Sequence, residues 1–334
     1  MMRLRQFVIP AKAGIQAVNP LLKIMFKNWI PAFAGMTSMM LLTASLGSAA
    51  TNSKAGTSGA QFLKIGAGAR STAMGEAFVA VADDVNAVYY NPAGLAGLER
   101  PEMTAMHTQW VQGMNYDFGA FALPSEFGTF GISVATLKAD DLEKRTADES
   151  FEGNFESIDS AYGLSFAKEI RNLWSVGLTA RYLQQKIDTA SAETWTGDVG
   201  ITKDFEEKPY RLGVAVRHFG QGVKYNSESD PLPLTFDAGA STRFFENKFM
   251  LALNIKKARD NDIQFGSGGE YRQVIRNDFR FAVRGGYNTS HTDADGSGLS
   301  LGGGLGYRQF DLDVAWVPLG DLGNAFRTAA VVKF

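Results

Sequence analysis

GLSLG, Gly298 to Gly302, matches the G-x-S-x-G pattern in which a serine nucleophile sits on a sharp strand-to-helix turn. Here the residues run on into GLSLGGGLGY, a glycine-rich strand pattern, so the turn that a hydrolase needs is missing. GAGARS, from Gly66, carries part of a dinucleotide fingerprint, but no strand precedes it and the third glycine is absent. DADG, Asp293 to Gly296, offers carboxylates of the kind calcium takes, without the third acidic position or the distal glutamate of an EF-hand loop. The chain has no cysteine and three histidines, His107, His218 and His291. Disulfides, thiolate metal sites and cysteine nucleophiles are therefore excluded, and acid–base options are few. The expectation is a protein that is not an enzyme and holds no metal or cofactor.

The charges that remain lie on alternating segments. In VGLTARY, Val176, Leu178, Ala180 and Tyr182 share one face, while Gly177, Thr179 and Arg181 share the other. LGVAVRH sets Leu212, Val214 and Val216 against Arg211, Gly213 and Arg217. FRFAVRGGY sets Phe279, Phe281, Val283 and Tyr287 against Arg280 and Arg284. Near the end Phe310, Leu312, Val314 and Trp316 oppose Asp311 and Asp313. One face is greasy and the other is charged or tiny. In a barrel the five arginines and two aspartates line the lumen, where they either form a selective pathway or pair to fill it.

Stepping along the chain at period two predicts fourteen strands, at 102–112, 115–124, 127–138, 157–170, 173–188, 194–206, 209–218, 232–246, 248–258, 263–275, 278–288, 298–308, 310–318 and 323–334. Most are long enough for a tilted span of a bilayer. Their connections largely alternate between tight turns, such as Arg171-Asn172 and Arg276-Asn277, and longer polar loops, such as Ala139 to Glu156 and Gly220 to Pro231. A soluble sandwich has no reason to sort its loops this way, whereas a membrane barrel has two rims facing different compartments. A closed barrel also satisfies every backbone group in lipid. The mean hydropathy of −0.11 fits, since only half of each strand meets lipid. The predicted fold class is all-β, a transmembrane antiparallel barrel of about fourteen strands. The net charge of −2 and a sequence pI near 6.0 give no reason to expect nucleic acid as a partner.

Before Thr51, Lys27 precedes the apolar run MMLLTASLGSAA, with Ser48 and Ala50 at signal-peptidase spacing, so residues 1–50 are read as a cleavable signal peptide. The near copies IPAKAGI and IPAFAGM, from Ile9 and Ile30, resemble a translated intergenic repeat and place the true start at Met25 or later, an unusual leader being the alternative. Residues 51–101 form a separate unit, rich in Ala and Gly, with a short helix expected around Met74 to Ala82 and a turn at YYNPAGL. It is either a periplasmic cap or a plug inside the barrel formed by 102–334, and its small side chains suit the plug.

FLKIGAGARSTAMGEAFVAVADDVNAVYYNPAGLAGL resembles the N-terminal signature of the PorV/PorQ group, a branch of the FadL-like outer-membrane proteins. The resemblance implies a barrel of fourteen strands with an N-terminal hatch in the lumen, and Gly66, Arg70, Asn91, Pro92, Ala93 and Gly94 as the hatch and ligand gate. FadL-like members carry hydrophobic compounds across the outer membrane, the hatch shifting to let ligand leave. PorV members accept secreted proteins of type IX secretion as cargo. The ending FRTAAVVKF resembles the signal read by the barrel-assembly machinery, with Arg327, Val332 and Phe334 in its polar and apolar places and Ala329 where Gly is usual. The expected location is the outer membrane, and the expected partners are its lipids, that machinery, and a hydrophobic small molecule or protein cargo.

Overall fold

A computed structural model describes residues 55–206, 208–225, 227–276, 278–292 and 296–334. The expected signal peptide, the repeats before it and most of DADG lie outside the described residues.

Fourteen strands close into one antiparallel barrel. In chain order they are β1 (Glu102–Gln109), β2 (Asn115–Ser125), β3 (Gly128–Arg145), β4 (Phe151–Arg171), β5 (Trp174–Ile187), β6 (Ala190–Phe205), β7 (Lys208–Gly220), β10 (Thr235–Phe244), β11 (Phe249–Ala258), β12 (Ile263–Arg276), β13 (Phe279–Asn288), β14 (Leu299–Tyr307), β15 (Phe310–Pro318) and β16 (Asn324–Lys333). The pair β8 (Val223–Lys224) and β9 (Ser229–Asp230) forms a small hairpin within the loop after β7. β16 returns to β1 with an unbroken register from Glu102↔Lys333 to Gln109↔Phe326, so the sheet has no edge.

The period-two pattern works as anticipated. Leu164, Leu178, Val214, Leu253, Leu301 and Leu312 stand exposed on the outer face, where lipid replaces water. Aromatics cluster toward both ends of this band: Trp174, Tyr210, Tyr307 and Phe310 near the short turns, and Trp195, Phe219, Phe236 and Trp316 near the long loops. Inward positions are buried and polar or small.

Two expectations need correction. The loop Ala139 to Glu156 is mostly strand: β3 and β4 keep pairing to Arg145↔Phe151, through register shifts at Ala139/Leu142 and Lys144/Arg145, so only residues 146–150 form the tip. Leu142 and Phe155 still pair there, and a charged sequence can extend a hairpin once its ladder is started. The helix expected over Met74 to Ala82 is instead a five-residue helix at Ala69–Ala73, followed by turns. Gly75 and Glu76 take left-handed φ of 61° and 56°, which ends helical continuation. Their neighbours find partners in the barrel wall, so tertiary contacts outweigh helix propensity.

Candidate functional site

The segment from Ala60 to Leu98 lies within the barrel. Its Ala67, Ala73, Met74, Phe78, Val81, Val85, Val88 and Leu95 form a buried cluster with inward Ala120, Ala252 and Ala315. It begins at the long-loop rim, where the Gly59 amide donates to the Pro231 carbonyl at 2.9 Å and Lys64 pairs with Asp260 at 3.1 Å. It ends at the short-turn rim, where the Val85 amide donates to Glu102 at 3.1 Å and the chain enters β1. Between these ends the segment doubles back within the lumen: Arg70 reaches Glu270, Glu76 returns to Lys256 toward the long loops, Asp83 lies again beside Arg70, and the Tyr89 hydroxyl donates to the Leu63 carbonyl.

The wall is cut back to receive it. A methyl group added at Gly177 would overlap the backbone of Pro92 and Ala93; at Gly200 it would overlap the Asn91 side chain, at Gly213 the Val79 carbonyl, and at Gly268 and Gly286 the backbone at Met74 and Gly75. These glycines form a girdle around the inside of the barrel, since only a hydrogen side chain lets two backbones come so close. Gly94 plays the same part from the other side, against the Ala82 carbonyl.

Asn91 is fully buried and caps the short 3-10 helix Pro92–Gly97, its side chain accepting from the Ala93 amide. Its amide nitrogen donates to the Val79 carbonyl at 2.9 Å and to the Ile201 carbonyl of β6 at 3.2 Å. Pro92 starts the helix where its fixed φ suits and no amide donor is needed. Ala93 and Gly94 follow, buried against β5 and the Ala82 turn.

The inward arginines of the wall reach this segment's carbonyls. Arg181 donates to Val88 at 2.7 Å, Arg211 to Val81 at 3.2 Å and Arg217 to Tyr89 at 3.4 Å, while Arg327 donates to Gly66 and lies 5.4 Å over the Trp110 ring. Arg181 also pairs with Asp198, and Arg217 with Asp237 at 2.7 Å. Each of these two arginines is held by a wall carboxylate and used on the inner segment, the arrangement that makes a buried charge tolerable.

Toward the short turns the contacts become an ionic lattice. Arg70, on the inner helix, donates to Glu270 at 2.9 and 3.0 Å, to Asp83 at 2.5 Å and to Asp84 at 2.7 Å. Arg284 joins Glu270 and Asp313, both at 2.6 Å, and Arg280 pairs with Asp311 at 2.8 Å nearer the rim. A cavity of about 180 Å³ lies among these groups.

The opposite end is open in character. A cavity of about 310 Å³ has Trp110, Val111, Leu319 and Leu322 at its mouth. Glu76, ion-paired with Lys256 at 3.2 Å, borders it with His218 and His291. Gly66 lies on the same boundary. Burial pushes the His291 imidazole, in the loop after β13, down to about 4, so it is neutral near pH 7.

Ser300 of the GLSLG run accepts from the Gly75 amide at 3.1 Å and donates to the Ala73 carbonyl at 3.2 Å, which makes it an anchor for the inner segment. Among the described residues no group of three or more His, Asp or Glu could hold a metal. Val332 lies on the outer face with exposed Phe334, whereas Arg327 is turned into the lumen. Sequence reasoning missed the acids Glu270, Asp198 and Asp237, the pair Glu76–Lys256 and the glycine girdle. The girdle had a signal: Gly177 and Gly213 fall on the same face as Arg181 and Arg211.

The uncharacterised protein family UPF0164 matches residues 36–254. A UPF0164 protein of Treponema pallidum (strain Nichols) is 27% identical over 214 residues, covering 56% of this chain and 50% of its own. The chain thus spans about half the length of the curated relative it matches. Among solved structures, the CymD monoaromatic hydrocarbon channel superposes with a TM-score of 0.56 at 13% identity, covering 81% of this chain and 98% of that one. The P. putida toluene transporter TodX gives a TM-score of 0.54 at 11% identity, covering 80% and 99%. At such identities the likeness is one of fold.

Proposed function

This chain belongs to the UPF0164 family, and we propose that it is a non-enzymatic outer-membrane barrel of FadL-like type that takes a hydrophobic or amphipathic small molecule through a lumen gated by its N-terminal segment. The observation that carries this reading is the cavity at the long-loop end, apolar at its mouth and floored by the inner segment. Its shape and lining suit a ligand with an apolar body and at least one polar atom. Two barrels of the same fold are a monoaromatic hydrocarbon channel and a toluene transporter, which supports the ligand class.

In this reading the residues that resemble the hatch signature act as a gate. Asn91, Pro92, Ala93 and Gly94 seat the segment against the glycine girdle, Gly66 borders the entry cavity, and Arg70 closes the short-turn end. The wall beside this segment is formed by β3 to β6, with β4–β5 in continuous register past Pro92 and Ala93 and a register shift between Gly197 and Val199 where β6 meets β7. In this reading ligand passes when the inner segment shifts. The signal peptide, the assembly role of Arg327, Val332 and Phe334, and contact with outer-membrane lipids belong to the same reading.

A deletion strain tested with radiolabelled oleate and toluene decides the matter: reduced uptake, restored by the gene, is expected, and unchanged uptake of both overturns the transport reading. The PorV-like alternative, a barrel accepting secreted protein, draws on the β3–β4 hairpin, whose paired strands reach to Arg145↔Phe151 and offer an exposed surface for a protein. That alternative fails where the genome encodes no type IX translocon and no proteins with the matching C-terminal domains.

A further inference from the structure

The outer wall is not uniform. Most strands present Leu, Val, Ile or aromatic side chains to lipid, but where β16, β1 and β2 meet, the outward residues shrink to Ala330, Thr328, Ala105 and Gly119. They form a groove of about 460 Å³, rimmed by Leu312 and Val134. Within it stand two ionisable residues. His107 Nδ1 lies 2.7 Å from Asp117 Oδ1, and the side chains are 58% and 59% exposed. They are direct register partners on β1 and β2, so they sit side by side at nearly one depth. Through Thr328 the register leads to Val314, inside the apolar band, and through Thr136 to Ser160, beyond it, so the pair stands at the long-loop border of the hydrocarbon with Ala105 and Gly119 next to it on the apolar side.

A histidine and an aspartate facing lipid are unfavourable unless something polar covers them. Small residues around a polar pair are what membrane-embedded segments use to bring backbones together. We propose that this face is the interface of a homodimer, formed by a second copy about a two-fold axis that runs along the membrane normal between β1 and β2.

The charge arrangement selects that occupant. Rotation by half a turn about such an axis keeps depth and exchanges left for right, so His107 of one copy meets Asp117 of the other, and Ala105 of one meets Gly119 of the other. A single wall that carries both members of an ion pair at one depth is self-complementary in this way, as an isologous contact requires. The two pairs then form a four-membered cluster screened from lipid, with the small residues allowing the walls to approach.

The absence of cysteine makes the test clean. Chains carrying Ala105→Cys are mixed with chains carrying Gly119→Cys, reconstituted in phosphatidylcholine vesicles and oxidised. A disulfide between the two kinds of chain is expected. The wild-type protein should also run as a dimer by mass photometry in mild detergent. His107→Asp should shift it to monomer by placing aspartates against each other, and the swapped double variant His107→Asp/Asp117→His should restore the dimer. Ala105→Trp should block association, with heat-modifiable migration showing that the barrel is folded. A monomer in both vesicles and detergent, or crosslinking only to a different polypeptide, overturns the proposal.

Discussion

The two ends of the lumen are built from opposite materials. At the short-turn end Arg70, Glu270, Arg284, Asp313, Asp83 and Asp84 lock the inner segment to the wall through several charge-assisted hydrogen bonds. At the long-loop end the same segment leaves a cavity of about 310 Å³ with an apolar mouth, and the ion pairs Lys256–Glu76 and Lys64–Asp260 stand apart rather than joining into a lattice. In the proposed function, space for a ligand and resistance to its passage are separated along one axis. A segment held equally at both ends would have no preferred place to let go; on the proposed function the long-loop end receives and the short-turn end restrains.

The largest effect is expected from breaking the lock. Arg70→Ala leaves Glu270, Asp83 and Asp84 short of a partner, and removing one member of a buried pair costs about 3–5 kcal/mol. Urea titration in vesicles should show that loss, with protease cleavage newly reaching the segment around residues 83–98. Charge-neutral Glu270→Gln should behave in the same direction, since it leaves both Arg70 and Arg284 undercompensated. If neither variant loosens the segment, the short-turn end is not the restraint.

At the receiving end the comparison is sharpened by pH. His291 is held neutral to about pH 4 in the folded loop, against an ordinary value of 6.5 in the unfolded chain. The unfolded state therefore binds more protons between these values, so stability is full above pH 6.5 and falls as the pH drops toward 4. The loss should be on the order of 2 kcal/mol at pH 5. Replacing His291→Gln should flatten that part of the profile in vesicle unfolding experiments.

The smallest changes concern the mouth and the seat of Asn91. Trp110→Ala removes apolar lining and a ring lying against Arg327, so affinity for a fluorescent long-chain probe should fall by about tenfold, without a change in the urea midpoint that matches Arg70→Ala. Asn91→Ala deletes the donor to Val79 and Ile201 and the cap of the following helix, costing about 1–3 kcal/mol. Should Asn91→Ala loosen the segment more than Arg70→Ala, the girdle rather than the ionic lattice is the main restraint.

The barrel was legible because lipid imposes a strict alternation. β15 lies at Phe310–Pro318 as read from its pattern, since every second residue must be apolar for the strand to survive in the membrane. The pattern weakens where lipid stops: it reads residues 139–156 as loop although β3 and β4 continue through all but 146–150, because outside the bilayer both faces of a hairpin can be polar. The inward arginines were also legible as a class. Their partners were not, because Arg181 meets Asp198 from the neighbouring strand and Val88 from a segment 93 residues earlier. The helix expected at Met74 to Ala82 failed for a related reason: the packing space left by the girdle sets that backbone, not the propensity of its residues.

Taken alone, the sequence determined the number of strands, the side of each that faces lipid and the presence of a small-residue segment ahead of them. These are properties of period and composition, which local physics enforces along the chain. Only the tertiary structure decided that this segment runs through the lumen from the long-loop rim to the short-turn rim. It also decided that Arg70 closes one end while Trp110 and Leu319 border an opening at the other, and that His107 and Asp117 stand together on the outer wall. Those facts depend on which strands become neighbours and at what register, and closure of the barrel fixes that across distances the sequence pattern does not encode.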